Sequence, residues 1–420
     1  MPNTYPYYRE PTHDQGVVTN TAANAARDTT IAAAEGRLIV DAVDKIFLLE
    51  PNKHPLVTLL TNVGKVWDGK AWQGSSIMKA STGNPTFTWF EDVYGGRYAT
   101  AAAGIAAGTG SIDVTGAGSS PAYIFTVGDV VKIARTGENV LVTAITDADT
   151  IAITRGYGST AAAVINASDS LFIVGNVNEE NGIARNANAT RTTAQTNFTQ
   201  IFKTTIALSN TEKAANLYGG RDLPYQRAKK GTEHALDIER AFWFSQKKSD
   251  TAGTQGHPRR ATGGIQEFIE GGTSFVQNQG GSLTAPDMNS FLREGFTYGN
   301  STKMLFAGGI VLQAINEIAR GQILTKTGDT TYGVRISEWQ TPFGIINIVH
   351  NPLFVQDYAG YAFLLDMECF RYRFMEGRDT TLQTNIQAPD VDGEVDQYLS
   401  EVGLERKQAP RHAILKGVTG

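Results

Sequence analysis

One long predicted helix constrains the fold of this chain more than any other stretch. Between Asp222 and Lys248, apolar residues recur at spacings of three and four, which places them on one continuous helix face. Asp222 is a favourable N-cap, and Pro224 is tolerated in a first helical turn. Lys247 and Lys248 suit the negative C-terminal end, whereas Gly231 is the one weak position. A helix of this length spans about 40 Å, so we expect a spine with other elements packed around it.

The composition indicates a globular protein with sizeable hydrophobic cores. The 420 residues predict two or three domains, at about 150 residues per domain. Hydrophobic residues make up 41% and charged residues 19% of the chain. A net charge of −5 argues against a protein that coats nucleic acid through bulk positive charge. Cys369 is the single cysteine, which excludes an intrachain disulfide. We expect a soluble protein without a secretory leader or a membrane span, made in a reducing cytoplasm.

Two alternating segments predict the strands of one β-hairpin, Asn84–Val93 and Asn197–Leu208. The intervening residues 94–196 are too many for a structureless loop inside a compact domain, so we expect them to fold by themselves. From Gly108 to Val177, short runs rich in Val, Ile and Thr alternate with turns. This pattern predicts a small all-β domain, either a sandwich or a barrel.

The remaining segments are an N-terminal arm and a mixed α/β region. Residues 1–34 are polar and are predicted to become ordered only on a neighbouring molecule. Glu35–Glu50 is predicted to be an amphipathic helix. After Thr262, helices and strands alternate, and the predicted elements are a helix at Ala285–Tyr298 capped by Thr284, a strand at Lys303–Ala307, a helix at Gly309–Arg320 ended by Gly321, and a strand pair at Tyr332–Trp339 and Gly344–His350.

The sequence contains no recognisable catalytic, cofactor-binding or metal-binding constellation. Its six histidines form no HxxxH or HExxH pair, and no GxSxG or GxxxxGKS occurs. His234 is interpreted as a hydrogen-bonded structural residue and Cys369 as a small core residue. Carboxylate pairs such as Glu91 and Asp92 are better explained by solvated or intersubunit charge than by acid–base catalysis. We therefore predict that the protein is not an enzyme.

A basic tract accompanies the predicted spine, and it consists of Arg227, Lys229, Lys230, Lys247, Lys248, Arg259 and Arg260. One interpretation is a solvated face with helix-spaced partners, such as Lys229 with Glu233 and Asp237 with Arg240. The other is loose, sequence-independent contact with nucleic-acid phosphates. The net negative charge favours the first interpretation.

The order of these parts resembles the major capsid proteins of tailed bacteriophages, which have the Hong Kong 97 fold. The resemblance rests on the split hairpin, the spine helix, the mixed region and the stretches VGDVVKIARTGENVLVTAI, NFTQIFKTTIALSNTEKAA and RATGGIQEFI. It implies an α+β fold. The implied parts are an N-terminal arm (1–34), a helix with the first half of an extended loop and peripheral domain (35–104), an inserted all-β domain (105–177), the second half of the loop and peripheral domain with the spine helix (178–261), an axial mixed α/β domain (262–387), and a C-terminal return to the peripheral domain (388–420).

The resemblance also implies a function and its partners. The chain would form hexamers and pentamers of an icosahedral or prolate head around double-stranded DNA, as part of the virion, after assembly in the host cytoplasm. The implied partners are other copies of the chain, a separate scaffolding protein, a portal and non-specifically bound DNA. A decoration protein is an optional further partner. No cofactor, metal or membrane is implied.

Two sets of site residues follow from this reading. Intersubunit contacts are assigned to Trp89, Glu91, Asp92, Arg97 and Lys203, and a DNA-facing inner surface to Arg227, Lys229, Lys230, Arg259 and Arg260. Two alternatives stay open: an encapsulin-like bacterial nanocompartment shell, and a surface- or carbohydrate-binding protein that uses the β-domain at 105–177.

Overall fold

The computed structural model describes residues 54–61, 66–67, 72–73, 78–94, 96–116, 120–187, 192–214, 222–251, 256–318 and 336–420. The predicted arm at 1–34, the predicted helix Glu35–Glu50 and the predicted helix end at Gly321 lie outside these residues. Within the described part, no helix is long and apolar enough to cross a membrane. The predicted α+β class is confirmed, since the described chain combines helices with several sheets.

The spine helix runs from Asp222 to Phe244, 23 residues or about 35 Å. It ends four residues before the predicted end at Lys248, so the predicted role of Lys247 and Lys248 at its C-terminus is wrong. Lys248 instead begins a short strand, Lys248–Asp250, which pairs with Arg259–Ala261. The Lys247 backbone N–H donates to Glu267 Oε1 at 3.0 Å, and its ammonium group donates to the Thr196 carbonyl at 2.7 Å. These tertiary contacts outweigh the local helical pattern.

The spine helix packs on a five-stranded sheet, called the spine sheet below. Its order is Gln200–Ser209, Gly393–Arg406, Phe370–Met375 and Lys79–Thr82, with Thr381–Gln383 as a further partner of Gly393–Arg406. Phe202, Ile206 and Leu208 are buried on one face of the first strand, as its alternation requires. Phe202 joins Ile238 and Phe242 of the helix in one hydrophobic core, and the short helix Pro55–Thr61 contributes Leu56 and Leu60 to that core.

The predicted hairpin is only partly right. Thr86–Glu91 pairs antiparallel with Thr193–Phe198, whereas the next strand, Gln200–Ser209, pairs with Gly393–Arg406. The chain changes partner at Thr199, whose N–H still donates to the Pro85 carbonyl at 2.8 Å. Alternation predicted the strands Thr86–Glu91 and Gln200–Ser209, but it included only the last two residues of Thr193–Phe198. It also does not specify which strand is the neighbour. The two paired strands Thr86–Glu91 and Thr193–Phe198 are called the hairpin below.

A closed six-stranded barrel lies between the two hairpin strands in sequence. Its strands are Tyr98–Ala101, Ser111–Thr115, Asp129–Ile133, Asn139–Ile145, Thr150–Thr154 and Ser170–Asn176. Inward-facing side chains such as Ile112, Val131, Val140 and Leu171 form a hydrophobic core separate from that of the spine. Of the two predicted forms, the barrel is the one observed. It includes Tyr98–Ala101, which precedes the predicted boundary at residue 105.

The mixed α/β region contains a six-stranded sheet. Its order is Phe275–Gly281, Ala413–Val418, Ala362–Leu365, Thr302–Ala307, Gly344–His350 and Ile336–Thr341. The helices that accompany it are Ile265–Gly271, Ala285–Gly295 and Gly309–Ile318. The predicted cap is confirmed, because Thr284 and Asp287 form a capping box. The last strand, Ala413–Val418, belongs to this sheet, although the segment 388–420 was predicted to return to the spine region; Gly393–Arg406 does return there.

One aromatic cluster joins the spine to the six-stranded sheet. The ring of Trp243, near the end of the spine helix, lies 5.1 Å from Phe306 and 5.0 Å from both Phe354 and Phe363 between centroids. Trp243 has no exposed surface. Aromatic pairs at such distances stabilise a core beyond their buried area alone. The two sheets therefore share one core rather than meeting across a polar interface.

Candidate assembly surfaces

The hairpin is anchored to the body of its own subunit along its inner face. Phe87 and Trp89 point inward and are buried, while Phe90 points outward. Phe87 lies over Gly403 of the spine sheet, where an added Cβ would come within 2.8 Å of the Phe87 ring and 2.6 Å of the Phe198 carbonyl. Gly403 is required here because no side chain fits between the sheet and the hairpin.

Asn197 forms a buried hydrogen-bonding centre at the base of the hairpin. Its Nδ2 donates to the carbonyls of Leu404 at 2.7 Å and Gly263 at 3.1 Å, and to Thr262 Oγ1 at 3.2 Å. Its Oδ1 accepts from the N–H groups of Gly263 at 2.8 Å and Phe198 at 2.9 Å. The stretches NFTQ and TGG, which flank the spine helix in sequence, therefore meet at one residue. A buried amide satisfied in this way fixes the geometry of its surroundings.

The far end of the hairpin is attached through Glu91. Its Oε1 accepts from Trp89 Nε1 at 2.8 Å and from the Gln408 backbone N–H at 2.9 Å. Gln408 adopts a left-handed conformation with φ of 53°, and its amide donates to the Asp92 carbonyl at 3.0 Å. Three of the residues assigned to intersubunit contact, Trp89, Glu91 and Asp92, thus have contacts within the subunit. Trp89 is buried in it, whereas the side chain of Asp92 is exposed.

The other two assigned residues lie apart from each other. Arg97 is exposed and lines a cleft of about 1130 Å³ between the end of the hairpin, the barrel and residues 185–186. Lys203 is exposed on the face of Gln200–Ser209 that points away from the spine helix. The described structure brings Trp89, Glu91, Asp92 and Arg97 together along the hairpin and its connection to the barrel, but not Lys203.

The assigned DNA-facing residues differ in how far their charge is neutralised. Arg227 donates to Asp396 Oδ2 from Nε at 2.7 Å and to Glu394 Oε1 from Nη2 at 3.0 Å. Lys213 also pairs with Glu394. These carboxylates belong to the spine sheet, so Arg227 serves to hold the helix on that sheet. Its charge is largely compensated within the subunit.

Among the other assigned basic residues, Arg259 is exposed, and Lys229, Lys230 and Arg260 are half-buried. Lys230, rather than the predicted Lys229, pairs with Glu233, and its Nζ lies 2.6 Å from Glu233 Oε2. The predicted pair of Arg240 with Asp237 is confirmed at 3.2 Å. Arg259 pairs with Asp250 at 2.9 Å yet keeps 66% of its side-chain surface exposed, and Arg260 follows it in the same strand. Surface pairs of this kind contribute little to stability.

Glu239 is a buried carboxylate on the spine helix that periodicity did not reveal. It accepts from the backbone N–H groups of Leu56 at 3.0 Å and Val57 at 2.7 Å, and from Trp243 Nε1 at 3.0 Å. The spine thereby caps the first turn of the helix Pro55–Thr61, where N–H groups lack intrahelical partners. Burial raises the pKa of Glu239 to about 7, against the opposing effect of these three donors.

Other buried polar groups also have structural roles. His234 lies between Thr204 Oγ1 at 2.9 Å and Ser400 Oγ at 2.7 Å, which confirms the structural interpretation; burial lowers its pKa. Burial raises the pKa of the Cys369 thiol to about 11, as expected for an inert core thiol. The Lys303 ammonium donates to the carbonyls of Gly295, Tyr298 and Arg411 at 2.6 to 2.7 Å and so terminates the helix Ala285–Gly295.

The barrel contains its own buried ion pair. Arg155 binds Glu138 through Nε and Nη2, each at 2.8 Å, and Glu138 has no exposed surface. The backbone N–H groups of Gly156 and Ala163 donate to the same carboxylate at 2.9 and 3.1 Å. Burial opposes ionisation, but these donors outweigh it and hold the pKa of Glu138 below its usual value. The pair fixes the loop between the barrel strands Thr150–Thr154 and Ser170–Asn176.

The described residues contain no cluster of three or more histidine, cysteine or acidic side chains that could hold a metal ion. The buried titratable groups described above are engaged in caps, ion pairs and core packing. What the molecule offers is an anchored hairpin, a connected barrel and exposed surfaces suited to contact with other macromolecules.

Comparison with known proteins gives a family match. The profile of the SU10 major capsid protein family matches residues 17–419. The major capsid protein of Pseudomonas phage PaMx41 is 24% identical over 262 residues, which cover 59% of this chain and 62% of that protein. The chain thus matches less than two thirds of that relative's length.

Three solved structures are among those to which this chain is similar. The capsid of a native GTA particle has a TM-score of 0.47 at 8% identity and covers 94% of this chain and 100% of its own. A chain from Mycobacterium phage Patience has a TM-score of 0.38 at 12% identity, with 58% and 77% covered. The SrpI encapsulin from Synechococcus elongatus has a TM-score of 0.40 at 9% identity, with 55% and 78% covered.

Proposed function

Because the chain belongs to the SU10 major capsid protein family, we propose that it is the subunit of a phage head, built from hexamers and pentamers of this chain. The observation that carries the proposal is the family match, which extends over nearly the whole sequence at residues 17–419. The head encloses double-stranded DNA. The protein is thus a component of the virion that assembles in the cytoplasm of its bacterial host.

The internal contacts support a mechanical role for the subunit. The spine sheet and the six-stranded sheet share one core through Trp243, and Asn197 ties the hairpin to both flanks of the spine helix. A shell under internal pressure needs subunits that transmit load without opening, and tightly packed cores have low compressibility. In this proposal the subunit is a rigid structural unit of the shell, and its role requires no catalytic step.

We propose that DNA is contacted weakly by the inner surface. Arg227 is compensated by Glu394 and Asp396. Lys230 and Arg259 are paired at the surface with Glu233 and Asp250, and Lys229 and Arg260 add the remaining positive charge. Contacts of this kind are electrostatic, independent of sequence and weakened by salt. With a net charge of −5, the subunit holds its cargo loosely enough for release.

Further partners belong to the same proposal. Assembly into a closed head uses a separate scaffolding protein and a portal, and the outer surface is available to a decoration protein. The encapsulin-like alternative is less well supported, because the matched family is one of phage capsid proteins.

Electron microscopy of negatively stained protein tests the proposal. Purified chain, alone and with its scaffolding protein, is expected to form rings of six and five subunits or closed shells. Light scattering across a range of protein concentrations measures the mass of the particles, which should equal that of these rings or shells. A uniform monomer at high concentration, even with scaffolding protein present, would contradict the proposal.

A further inference from the structure

The segment that leaves the barrel forms a loop whose two ends are held together. Just before it, the backbone N–H of Val177 donates to the Gly128 carbonyl at 2.9 Å. Just after it, Arg185 pairs with Asp129 at 2.7 Å. Because Gly128 and Asp129 are consecutive, both ends of residues 178–184 are attached to one point of the barrel. Residues 178–184 are called the return loop, and all of them are exposed.

A tight turn in the return loop contains an asparagine followed by a glycine. The Gly182 N–H donates to the Glu179 carbonyl at 3.1 Å, which closes a four-residue turn. Asn181 has a φ of 59°, a left-handed conformation that asparagine tolerates better than most residues. Turn formation is therefore sufficient to explain why these two residues stand here.

The same two residues form a chemically reactive pair. Asn181 is the only asparagine in the sequence that a glycine follows. When the Gly182 backbone nitrogen attacks Asn181 Cγ, a five-membered ring closes. Glycine favours this attack because it has no Cβ to obstruct the approach and because its backbone adopts the widest range of angles. The hydrogen bond from Gly182 to Glu179 opposes the attack, but it lies in an exposed turn, where such bonds open readily.

We propose that Asn181 is a site of spontaneous covalent modification, in which its side-chain amide is lost as ammonia through a backbone succinimide. The Gly182 nitrogen bonds to Asn181 Cγ while the Cγ–Nδ2 bond breaks, and the proton of the Gly182 N–H leaves with the ammonia. Water then adds to either ring carbonyl and returns a proton to the Gly182 nitrogen. Opening at Cγ yields aspartate, and opening at the main-chain carbonyl yields isoaspartate, whose backbone runs through Cβ and Cγ. Water is the only co-reactant.

The fold confines the effect of this modification to the return loop. Either product places a new carboxylate beside the exposed Glu179 and Glu180, so the loop becomes more negative. Isoaspartate also lengthens the backbone by a methylene group, but the contacts at Gly128 and Asp129 hold both ends of the loop. The barrel core contains no residue of the loop, so the barrel stays folded. The inference does not depend on the proposed function, because the reaction needs only the free subunit.

The first test is mass spectrometry of the unassembled full chain after incubation at physiological temperature in mildly alkaline buffer. Tryptic cleavage after Arg155 and Arg185 releases residues 156–185, which contain Asn166, Asn176, Asn178 and Asn181. Exposed Asn178, which Glu179 follows, is the internal control. We expect the gain of about 1 Da to arise at Asn181 at least about tenfold faster than at Asn178, because only Asn181 precedes a residue without Cβ. Equal rates, or an unchanged Asn181, would overturn the proposal.

The second test separates the ring mechanism from direct hydrolysis of the side chain. Gly182→Ala places a Cβ beside the attacking nitrogen, 3.1 Å from the Glu179 carbonyl oxygen, a contact that an exposed loop relieves by a small shift. We expect this variant to lose the Asn181 amide at least about tenfold more slowly. Circular dichroism during heating checks that its fold is unchanged. The wild type is expected to yield isoaspartate together with aspartate. Aspartate alone, or an unchanged rate in Gly182→Ala, would overturn the proposal.

Discussion

Glu239 makes the stability of the subunit depend on pH in a way that one substitution can isolate. In the folded state its pKa is about 7, against an unfolded value of 4.5. The folded state therefore holds a proton that the unfolded state releases between these two values. Stability from this group is fully present below pH 4.5 and is lost as the pH rises through 7. At about 1.4 kcal/mol per pKa unit, the loss amounts to roughly 3 kcal/mol.

Glu239→Gln removes the titration while keeping the size of the side chain. The amide group places a second donor against the N–H groups of Leu56 and Val57, so one of them loses its acceptor. Where Glu239 is protonated, near pH 5, we expect the variant to be less stable by roughly 1–3 kcal/mol. As the pH rises to 8, the wild type loses about 3 kcal/mol contributed by Glu239, so the difference between the two proteins is abolished or reversed in favour of the variant.

The assay is urea unfolding of unassembled wild type and variant at pH 5, 6, 7 and 8, followed by tryptophan fluorescence. Subtracting the two curves cancels every other titrating group. Asp237→Asn on the same helix is the matched control, since Asp237 is exposed and its pair with Arg240 contributes little. A difference between wild type and Glu239→Gln that stays constant from pH 5 to 8 would refute the reasoning.

Three further substitutions test buried features of the fold by urea unfolding, followed by circular dichroism for the barrel, whose strands contain no tryptophan, and by tryptophan fluorescence for the other two. Glu138→Gln breaks the buried pair with Arg155 and is expected to cost about 3–5 kcal/mol in the stability of the barrel. Lys303→Met leaves three carbonyl oxygens without a donor, with an expected loss of about 3 kcal/mol. Gly403→Ala forces Phe87 away from the spine sheet and is expected to cost about 1–3 kcal/mol, with faster protease cleavage in the hairpin.

Each of these substitutions has a control at an exposed position. For Glu138→Gln the control is Asp113→Asn, on the outside of the barrel, and for Lys303→Met it is Lys203→Met, on the open face of the spine sheet. For Gly403→Ala the control is Gly83→Ala, where an added Cβ meets nothing within 4 Å. All three are expected to change stability by less than about 0.5 kcal/mol. If the control substitutions lowered stability as much as the buried ones, burial would not be the cause of the loss.

Local sequence patterns predicted which segments form helices and strands better than they predicted which strands pair with each other. The spine helix, the barrel strands and the capped helix after Thr284 follow from periodicity and capping, which act over a few residues. The change of partner at Thr199 does not, because it depends on a strand that begins at Gly393. Gly231 shows the same limit: it looked like a weak point, yet it leaves room for Tyr398, whose hydroxyl donates to the Arg227 carbonyl at 3.0 Å.

The residues that hold the surfaces in place were the hardest to predict. Glu239 caps a helix 183 residues before it in the chain, and Asn197 joins segments up to 207 residues away. No sequence spacing connects such groups, so only their burial and partners reveal their roles. Trp89, Glu91 and Asp92 have contacts within the subunit, and their assignment to contacts between subunits stays a prediction.

The way the barrel closes has a practical consequence for engineering. Its first and last strands are neighbours, with Tyr98 opposite Phe172, so the chain enters and leaves the barrel on adjacent strands that are about 5 Å apart. Any compact module with adjacent termini meets the same geometric requirement. The barrel could therefore be replaced by a foreign enzyme or antigen without lengthening the hairpin. An assembled shell would then carry that module in many evenly spaced copies.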